Sequence, residues 1–167
     1  MDAGGRSPNP EARLLNASDG ARVRSFVSKC PPLTVHTSYT YWFILSRTPR
    51  LSVGLEASDG LVAVALGVPT ADGGVFVWQL ASCPTLRRTG LAIKALGALW
   101  TNADAQGLSR LELTIAPSNQ ASVATMRRFA DDHGLRIRST GLVGTDYGVD
   151  PAEERFIIDR VEETTPK

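Results

Sequence analysis

The chain has few of the residues that build a disulfide scaffold or a metal knuckle. Its 167 residues include two cysteines, Cys30 and Cys83, and two histidines. Neither cysteine belongs to a Cys-x-x-Cys pair, and no Cys/His group has zinc-site spacing, so no metal is expected. Two separate thiols suit a reducing compartment. No apolar run approaches the roughly 20 residues of a membrane helix. Met1 to Pro10 is rich in Gly, Pro and Ser where a secretory signal would be apolar, and a cytoplasmic protein is expected. An excess of one charge is missing too. Eighteen Lys and Arg face 17 Asp and Glu, which gives a net charge of +1 and no broad field for nucleic acid or an anionic membrane.

What is present is an apolar fraction of 43%, enough to pack one core. The reading is a loose tail over 1–10, one domain over 11–161 and a loose tail over 162–167. Within the domain, Arg13–Asn16 reads as a strand. Ser18 or Asp19 is expected to cap a helix to about Lys29, stopped by Pro31-Pro32. Ser38–Arg47 reads as a second helix. Leu51–Ala57 and Leu61–Val68 flank Ser58-Asp59-Gly60, a hairpin signal. A turn at Ala71–Gly74 precedes a strand at Val75–Ala81.

The period then changes. Ala92, Leu96, Leu99 and Trp100 recur at helical spacing to about Asp104, whereas Arg110–Ala116 alternates as a strand. A helix is expected to start at Pro117-Ser118, with Val123, Met126 and Ala130 on one face and Gly134 past its end. Leu135–Ser139 and Arg155–Val161 complete the strands. The order β-α-α-β-β-β-α-β-α-β-β demands an α/β (α+β) fold. Its sheet would be mixed, mostly antiparallel and twisted, with a central parallel pair and about four flanking helices.

One turn carries chemistry. Arg87-Arg88-Thr89-Gly90-Leu91-Ala92 leaves a strand and opens a helix. The first N–H groups of a helix have no internal partner and sit at the positive end of its dipole, so a phosphate there collects several hydrogen bonds. Gly90 permits close approach of the backbone, and Arg87 and Arg88 add charge at the rim. No Gly-Lys-Ser/Thr follows and the spacing is not Gly-x-Gly-x-x-Gly, which excludes the usual nucleotide loops.

The turn resembles the acetyl-CoA motif R/Q-x-x-G-x-G/A of the GNAT acetyltransferase superfamily. The likeness implies that Arg87, Arg88, Thr89, Gly90, Leu91 and Ala92 hold the diphosphate of acetyl-CoA. It also implies that the strand Phe76–Ser82 splays from its neighbour and holds the pantetheine through backbone groups of Leu80 and Ser82, and that Asn119 lines the CoA arm. A narrower likeness is to the diaminobutyrate acetyltransferases of ectoine biosynthesis. It rests on Ser38-Tyr39-Thr40-Tyr41, Phe76-Val77-Trp78-Gln79, Ala116-Pro117-Ser118-Asn119 and Met126-Arg127-Arg128-Phe129-Ala130. Where those enzymes read D-x-N before the second helix, this chain has Thr34-Val35-His36; where their tail carries acids, it has Asp150-Pro151-Ala152-Glu153-Glu154. A divergent acceptor site follows.

The implied activity is N-acetylation of a small amino acid or diamine, 2,4-diaminobutyrate or an analogue, by direct attack on the thioester. Alternatives are another acceptor (an antibiotic, a natural-product intermediate or a protein N-terminus) or a non-catalytic acyl-CoA-binding domain. The Leu80 N–H is expected to face the oxyanion. His36 and Glu154 are the candidate bases, each also readable as a plain surface group, with Glu153 and Asp146 behind them. Thr34, His36, Ser38, Tyr39, Trp78, Asp146 and Glu153 are expected around the acceptor. Tyr41 and Trp42 read more readily as core. Met126 stands where many GNAT enzymes have a tyrosine acid, so no general acid is expected there. The resemblance also implies a homodimer.

Overall fold

The structure, a computed structural model, describes residues 9–144, 146 and 148–161. Most of both expected tails, residues 1–8 and 162–167, lies outside the described residues. The Asp-Gly signal closes a hairpin between β2 (Ser52–Ala57) and β3 (Gly60–Pro69), with Ala57 opposite Gly60. Gly60 sits at φ +114, a conformation that a Cβ would strain. β4 (Val75–Ser82) continues the antiparallel meander from β3, and β1 (Glu11–Leu14) adds to the other edge of β2. β5 (Arg110–Ile115) lies parallel to β4, then β7 (Glu153–Arg160) and β6 (Leu135–Val143) close the order β1-β2-β3-β4-β5-β7-β6.

Helices α1 (Gly20–Val27) and α2 (Ser38–Arg47) cover one face. Val23, Val27, Tyr41 and Leu45 pack there on Val64, Leu66 and Ala81. Helices α3 (Leu91–Asp104) and α4 (Gln120–Asp132) cover the other. Leu96, Leu99, Val123, Met126 and Phe129 pack there on Ala65, Leu111, Leu113 and Phe156. The alternation read in β5 holds: Leu111, Leu113 and Ile115 are buried, and Glu112 and Thr114 point the other way, half-buried. Among the described residues no helix is long and apolar enough to cross a membrane.

Several boundaries move, each for a local reason. β1 ends at Leu14 rather than Asn16, because Asn16 caps a short 3-10 turn, Ala17–Asp19, which leads into α1; Asp19 holds the cap position of α1 itself, as expected, but without a side-chain bond to the helix. Asn16 Oδ1 accepts from Ser18 N at 2.9 Å, and the Asp19 carboxylate accepts from Asn16 N at 3.0 Å. α1 ends at Val27 instead of Lys29, since Lys29 N and Cys30 N bond back three residues and tighten the chain ahead of Pro31. α4 is capped by Asn119, not opened by Pro117-Ser118. β6 runs past Ser139 to Val143 through an irregularity at Gly141, whose φ is +107. Its arginines and hydroxyls suit an exposed edge and hide the strand from an apolar-period search. β7 begins at Glu153 and ends at Arg160, two residues earlier at its start than the expected Arg155.

Away from the helix covers, Asp19 is 5% exposed and takes both Arg13 nitrogens at 2.9 and 2.6 Å. The hydrogen bond from Arg13 holds the Asp19 carboxyl below the ordinary carboxylate range. Arg22 and Glu56 complete this four-charge cluster, which ties β1, β2 and α1 together.

Candidate functional site

The two central strands part. β4 and β5 pair only at Val75–Leu111 and Phe76–Glu112, so the rest of β4 has an open edge toward β5. On its other edge Cys83 N donates to Val62 O at 2.8 Å. Antiparallel alternation then turns the Ala81 and Gln79 N–H groups to β3, and the Leu80 and Ser82 N–H groups into the gap. The register slips between Leu66–Gln79 and Gly67–Val77, leaving Trp78 as the extra residue of a bulge. The bulge puts Trp78 and Gln79 both toward the α1–α2 side, while Leu80 packs on the α3–α4 core.

The chain leaves β4 through a short turn, Pro84–Leu86, and reaches the Arg-Arg-Thr-Gly segment. Thr89 Oγ1 donates to Leu86 O at 2.6 Å. Arg88 has φ +65 and Gly90 φ +83, so the backbone reverses its curl twice within three residues. The first intrahelical bond runs from Lys94 N to Gly90 O, and no side chain caps the helix. The N–H groups of Leu91, Ala92 and Ile93 therefore stand at the helix mouth without an intrahelical partner. A Cβ at Gly90 would meet nothing within 4 Å. This open, uncapped mouth fits a diphosphate. Arg88 is exposed, but Arg87 reaches away: its Nη2 donates to Pro31 O at 2.8 Å, in the loop between α1 and α2. Asn119 is exposed, and its Oδ1 accepts from Ser122 N at 3.2 Å as the α4 cap.

Of the two thiols, Cys83 follows β4 half-buried, and a hydrogen bond with the Thr85 hydroxyl at 3.2 Å lowers its pKa. Burial raises that of Cys30. Among the described residues no group of three His, Cys, Asp or Glu is placed to hold a metal ion.

Beside the gap, Thr34, His36 and Trp78 come together. The His36 ring lies 4.6 Å from Trp78 and 6.2 Å from Tyr41 between centroids. Tyr41 is fully buried, and its hydroxyl donates to Gln79 Oε1 at 2.9 Å, while Gln79 Nε2 donates to Thr34 O at 3.0 Å. Tyr39 does not join them. It is 70% exposed and stacks along α2 on Trp42 and Phe43, so Trp42 is half-exposed instead of core. Ser38 is exposed in the first turn of α2.

The acidic candidates divide. Alternation along β7 puts Glu154, opposite Ile115, on the side of the α3–α4 core, and Glu153 on the opposite face, where Thr114 Oγ1 donates to it. His36 and Glu154 therefore approach the sheet from opposite faces. Asp146 is exposed in the connection between β6 and β7. Glu153 stands beside an open groove of about 520 Å³, lined by Phe76, Glu112, Thr114, Leu142 and Arg155 among others. Arg155 grips Glu112 with two hydrogen bonds of 2.8 Å, and that pairing raises the arginine's pKa.

Sequence reasoning named Gln79 only within the Phe76–Gln79 motif, with no role in the site, and passed over Thr114, Glu112 and Arg155. Gln79 had a visible signal: a polar residue in an apolar strand must find partners once buried. Glu112 and Arg155 carried only the alternation of their strands.

The acetyltransferase (GNAT) family model matches residues 21–130. An L-2,4-diaminobutyric acid acetyltransferase of Methylotuvimicrobium alcaliphilum is 34% identical over 145 residues, which cover 85% of this chain and 84% of that protein. One from Halomonas elongata is 31% identical over 144 residues, 84% of this chain and 71% of that protein. Among solved structures, the diaminobutyrate acetyltransferase of Paenibacillus lautus, in complex with L-2,4-diaminobutyric acid and coenzyme A, superposes with a TM-score of 0.83. It is 22% identical and covers 96% of this chain and 99% of its own. A parted central strand pair leading to a bare helix mouth is thus matched by sequence over more than half the molecule, and the chain belongs to the GNAT family of acetyltransferases.

Proposed function

We propose that the acceptor of this acetyltransferase is 2,4-diaminobutyrate or a close analogue, acetylated on a primary amine. The enzyme is an acetyl-CoA-dependent N-acetyltransferase. The observation that carries the donor half is the gap between β4 and β5, which leads to the uncapped mouth of α3. The acceptor half is supported by the relatives named for diaminobutyric acid, which align along most of both chains.

Acetyl-CoA brings an acetyl group already activated as a thioester. The chain has to hold it, present a neutral amine and steady the oxygen that gains charge. The N–H groups of Gly90, Leu91 and Ala92 are read as the diphosphate cradle, with Thr89 shaping the turn and Arg88 at its rim. Arg87, engaged on Pro31 O, ties the turn to the loop between α1 and α2. The outward N–H groups of Leu80 and Ser82 hold the arm, and Leu80 supplies the oxyanion donor. Asn119 adds its side-chain N–H to the arm, since its oxygen caps α4.

An aliphatic amine is protonated at neutral pH, so a base is required. His36 is favoured over Glu154 because it shares a face with Trp78. Glu153, which accepts from Thr114 in the groove wall, suits an ammonium group. Thr34, where the resembled enzymes carry an acid, favours an analogue whose second amine is placed differently. Two unpaired thiols support a cytoplasmic enzyme, and the family resemblance a homodimer.

The test is release of free CoA from acetyl-CoA across a panel of diamino acids, monoamines and peptides. Turnover is expected with 2,4-diaminobutyrate or a diamino acid of neighbouring length, well above the rest. Turnover with peptides alone would overturn the acceptor assignment. CoA binding with no amine turned over would leave only an acyl-CoA-binding domain.

A further inference from the structure

The loop from Pro31 to Thr37 carries Thr34 and His36 to the acceptor side, and side chains hold it by its backbone. Arg87 donates to Pro31 O at 2.8 Å, Gln79 to Thr34 O at 3.0 Å and Arg24 to His36 O at 3.1 Å. Gln79 stands apart among the three because it is 7% exposed and both ends of its amide are engaged. The Tyr41 hydroxyl that donates to Gln79 Oε1 also stands 3.5 Å from His36 N. A chain of contacts therefore runs from β4 through one amide to both Thr34 and His36. The next residue in β4 is Leu80, whose N–H faces the gap.

We propose that Gln79 is a positioning residue for the acceptor: its amide, through the Thr34 carbonyl and the Tyr41 hydroxyl, sets where the His36 loop stands relative to the thioester gap. The proposal rests on reading His36 and Trp78 as the acceptor wall.

The chemistry allows little substitution. A carbonyl only accepts, so the group facing Thr34 O must bring a proton. The group facing the Tyr41 hydroxyl must accept one. A buried primary amide does both, an ionised carboxylate does only the second, and an apolar side chain does neither. At 7% exposure, water does not readily replace the lost partner. The bulge at Trp78 turns Gln79 to this face, so the strand irregularity that rotates the site also delivers the amide.

The test compares Gln79→Leu, Gln79→Glu and Tyr41→Phe with the unaltered enzyme. Initial rates are measured with each substrate varied, CoA binding by calorimetry and folding by thermal unfolding. Gln79→Leu should lower kcat/KM for the amine by roughly tenfold to a hundredfold, the scale of an ångström-sized misplacement. Its Kd for CoA should stay at the unaltered value. Gln79→Glu should regain activity as the pH falls, because the protonated carboxyl again donates to Thr34 O, and burial raises the pH at which this happens. Tyr41→Phe should lower the same parameter, and the double variant should be no worse than Gln79→Leu, since the two groups act as one unit.

Amine kinetics unchanged in Tyr41→Phe and in Gln79→Glu at every pH would overturn the proposal, even if Gln79→Leu failed to fold. So would CoA and amine affinity lost in proportion. An unaltered enzyme that turns over no amine would defeat the functional reading and this inference with it; turnover with indifferent variants would defeat the inference alone.

Discussion

The donor and acceptor sides proposed for this enzyme are made of different parts of the polypeptide. At the donor side, residues 87–92 present main-chain N–H groups at a helix mouth, with a glycine in the left-handed region and open space around it. At the proposed acceptor side, between Trp78 and the loop from Pro31 to Thr37, the surface is built from side chains. An imidazole packs tilted against an indole, a buried amide donates to the Thr34 carbonyl, and a phenol donates to that amide and accepts from the His36 N–H. A backbone cradle tolerates much change of sequence around it, provided the backbone keeps its shape. A side-chain wall changes with each substitution. The departures from the diaminobutyrate enzymes at Thr34 and His36 fall on the second kind of surface, whereas the Arg-x-x-Gly-x-Ala turn is intact.

The comparison breaks first at Gly90. In Gly90→Val a β-branched side chain must adopt φ +83, which costs about 1–2 kcal/mol, and its methyl groups project where a ligand would approach. Losing one charge-assisted hydrogen bond at about 1.5–3 kcal/mol should raise the KM for acetyl-CoA roughly tenfold to a hundredfold. The amine KM should not change. Steady-state kinetics with CoA calorimetry measures both, and normal CoA binding by this variant would place the donor site elsewhere.

Asn119 gives a smaller and sharper division. Asn119→Ala removes the α4 cap and should cost about 1 kcal/mol of stability. Asn119→Asp keeps the accepting oxygen and so the stability, but has no N–H to offer. If Asn119 serves the CoA arm, this variant should raise the KM for acetyl-CoA several-fold with an unaltered melting temperature. CoA affinity equal to that of the parent would leave Asn119 a cap and nothing more.

The least effect on the cleft is expected from the Asp19 cluster, which neither side uses, and it serves as the reference for loss of fold. The Asp19 carboxyl is held below its ordinary value by Arg13, so its folded pKa is the depressed one. Its stabilisation is complete above the unfolded pKa of about 3.9 and disappears as the pH falls from there through the folded value. Thermal unfolding between pH 2 and 5 should show this loss in the parent, with a flatter profile in Asp19→Asn and unchanged KM values at neutral pH. A parallel profile in the two proteins would remove the cluster as the acid-labile element.

Legibility followed the same division. α2 was read at Ser38–Arg47 and found there, because its aromatic and apolar residues are contiguous, with Thr37 just ahead of it as the cap. The hairpin at Ser58-Asp59 and the opening of α3 after Gly90 were equally local. β6 was cut short because an exposed edge strand needs no apolar period. The Asp19 cap position of α1 was legible, but the turn before it was not: three residues, Ala17–Asp19, carry no period, and only the bonds from Ser18 N to Asn16 and from Asn16 N to Asp19 define it. Glu153 and Glu154 could not be told apart until the β7 register assigned each a face.

The sequence by itself determined the order of elements, the mixed sheet, the uncapped turn into α3 and the family, since each depends on residues a few positions apart and on backbone preferences they carry with them. Tertiary structure alone decided that Gln79 meets Tyr41 and Thr34, that Arg87 turns to Pro31 and that Arg155 engages Glu112, across separations of 38 to 56 residues. Those partners are chosen by which strands lie side by side and where β4 bulges, and a long-range pairing leaves no periodic trace in the chain that makes it.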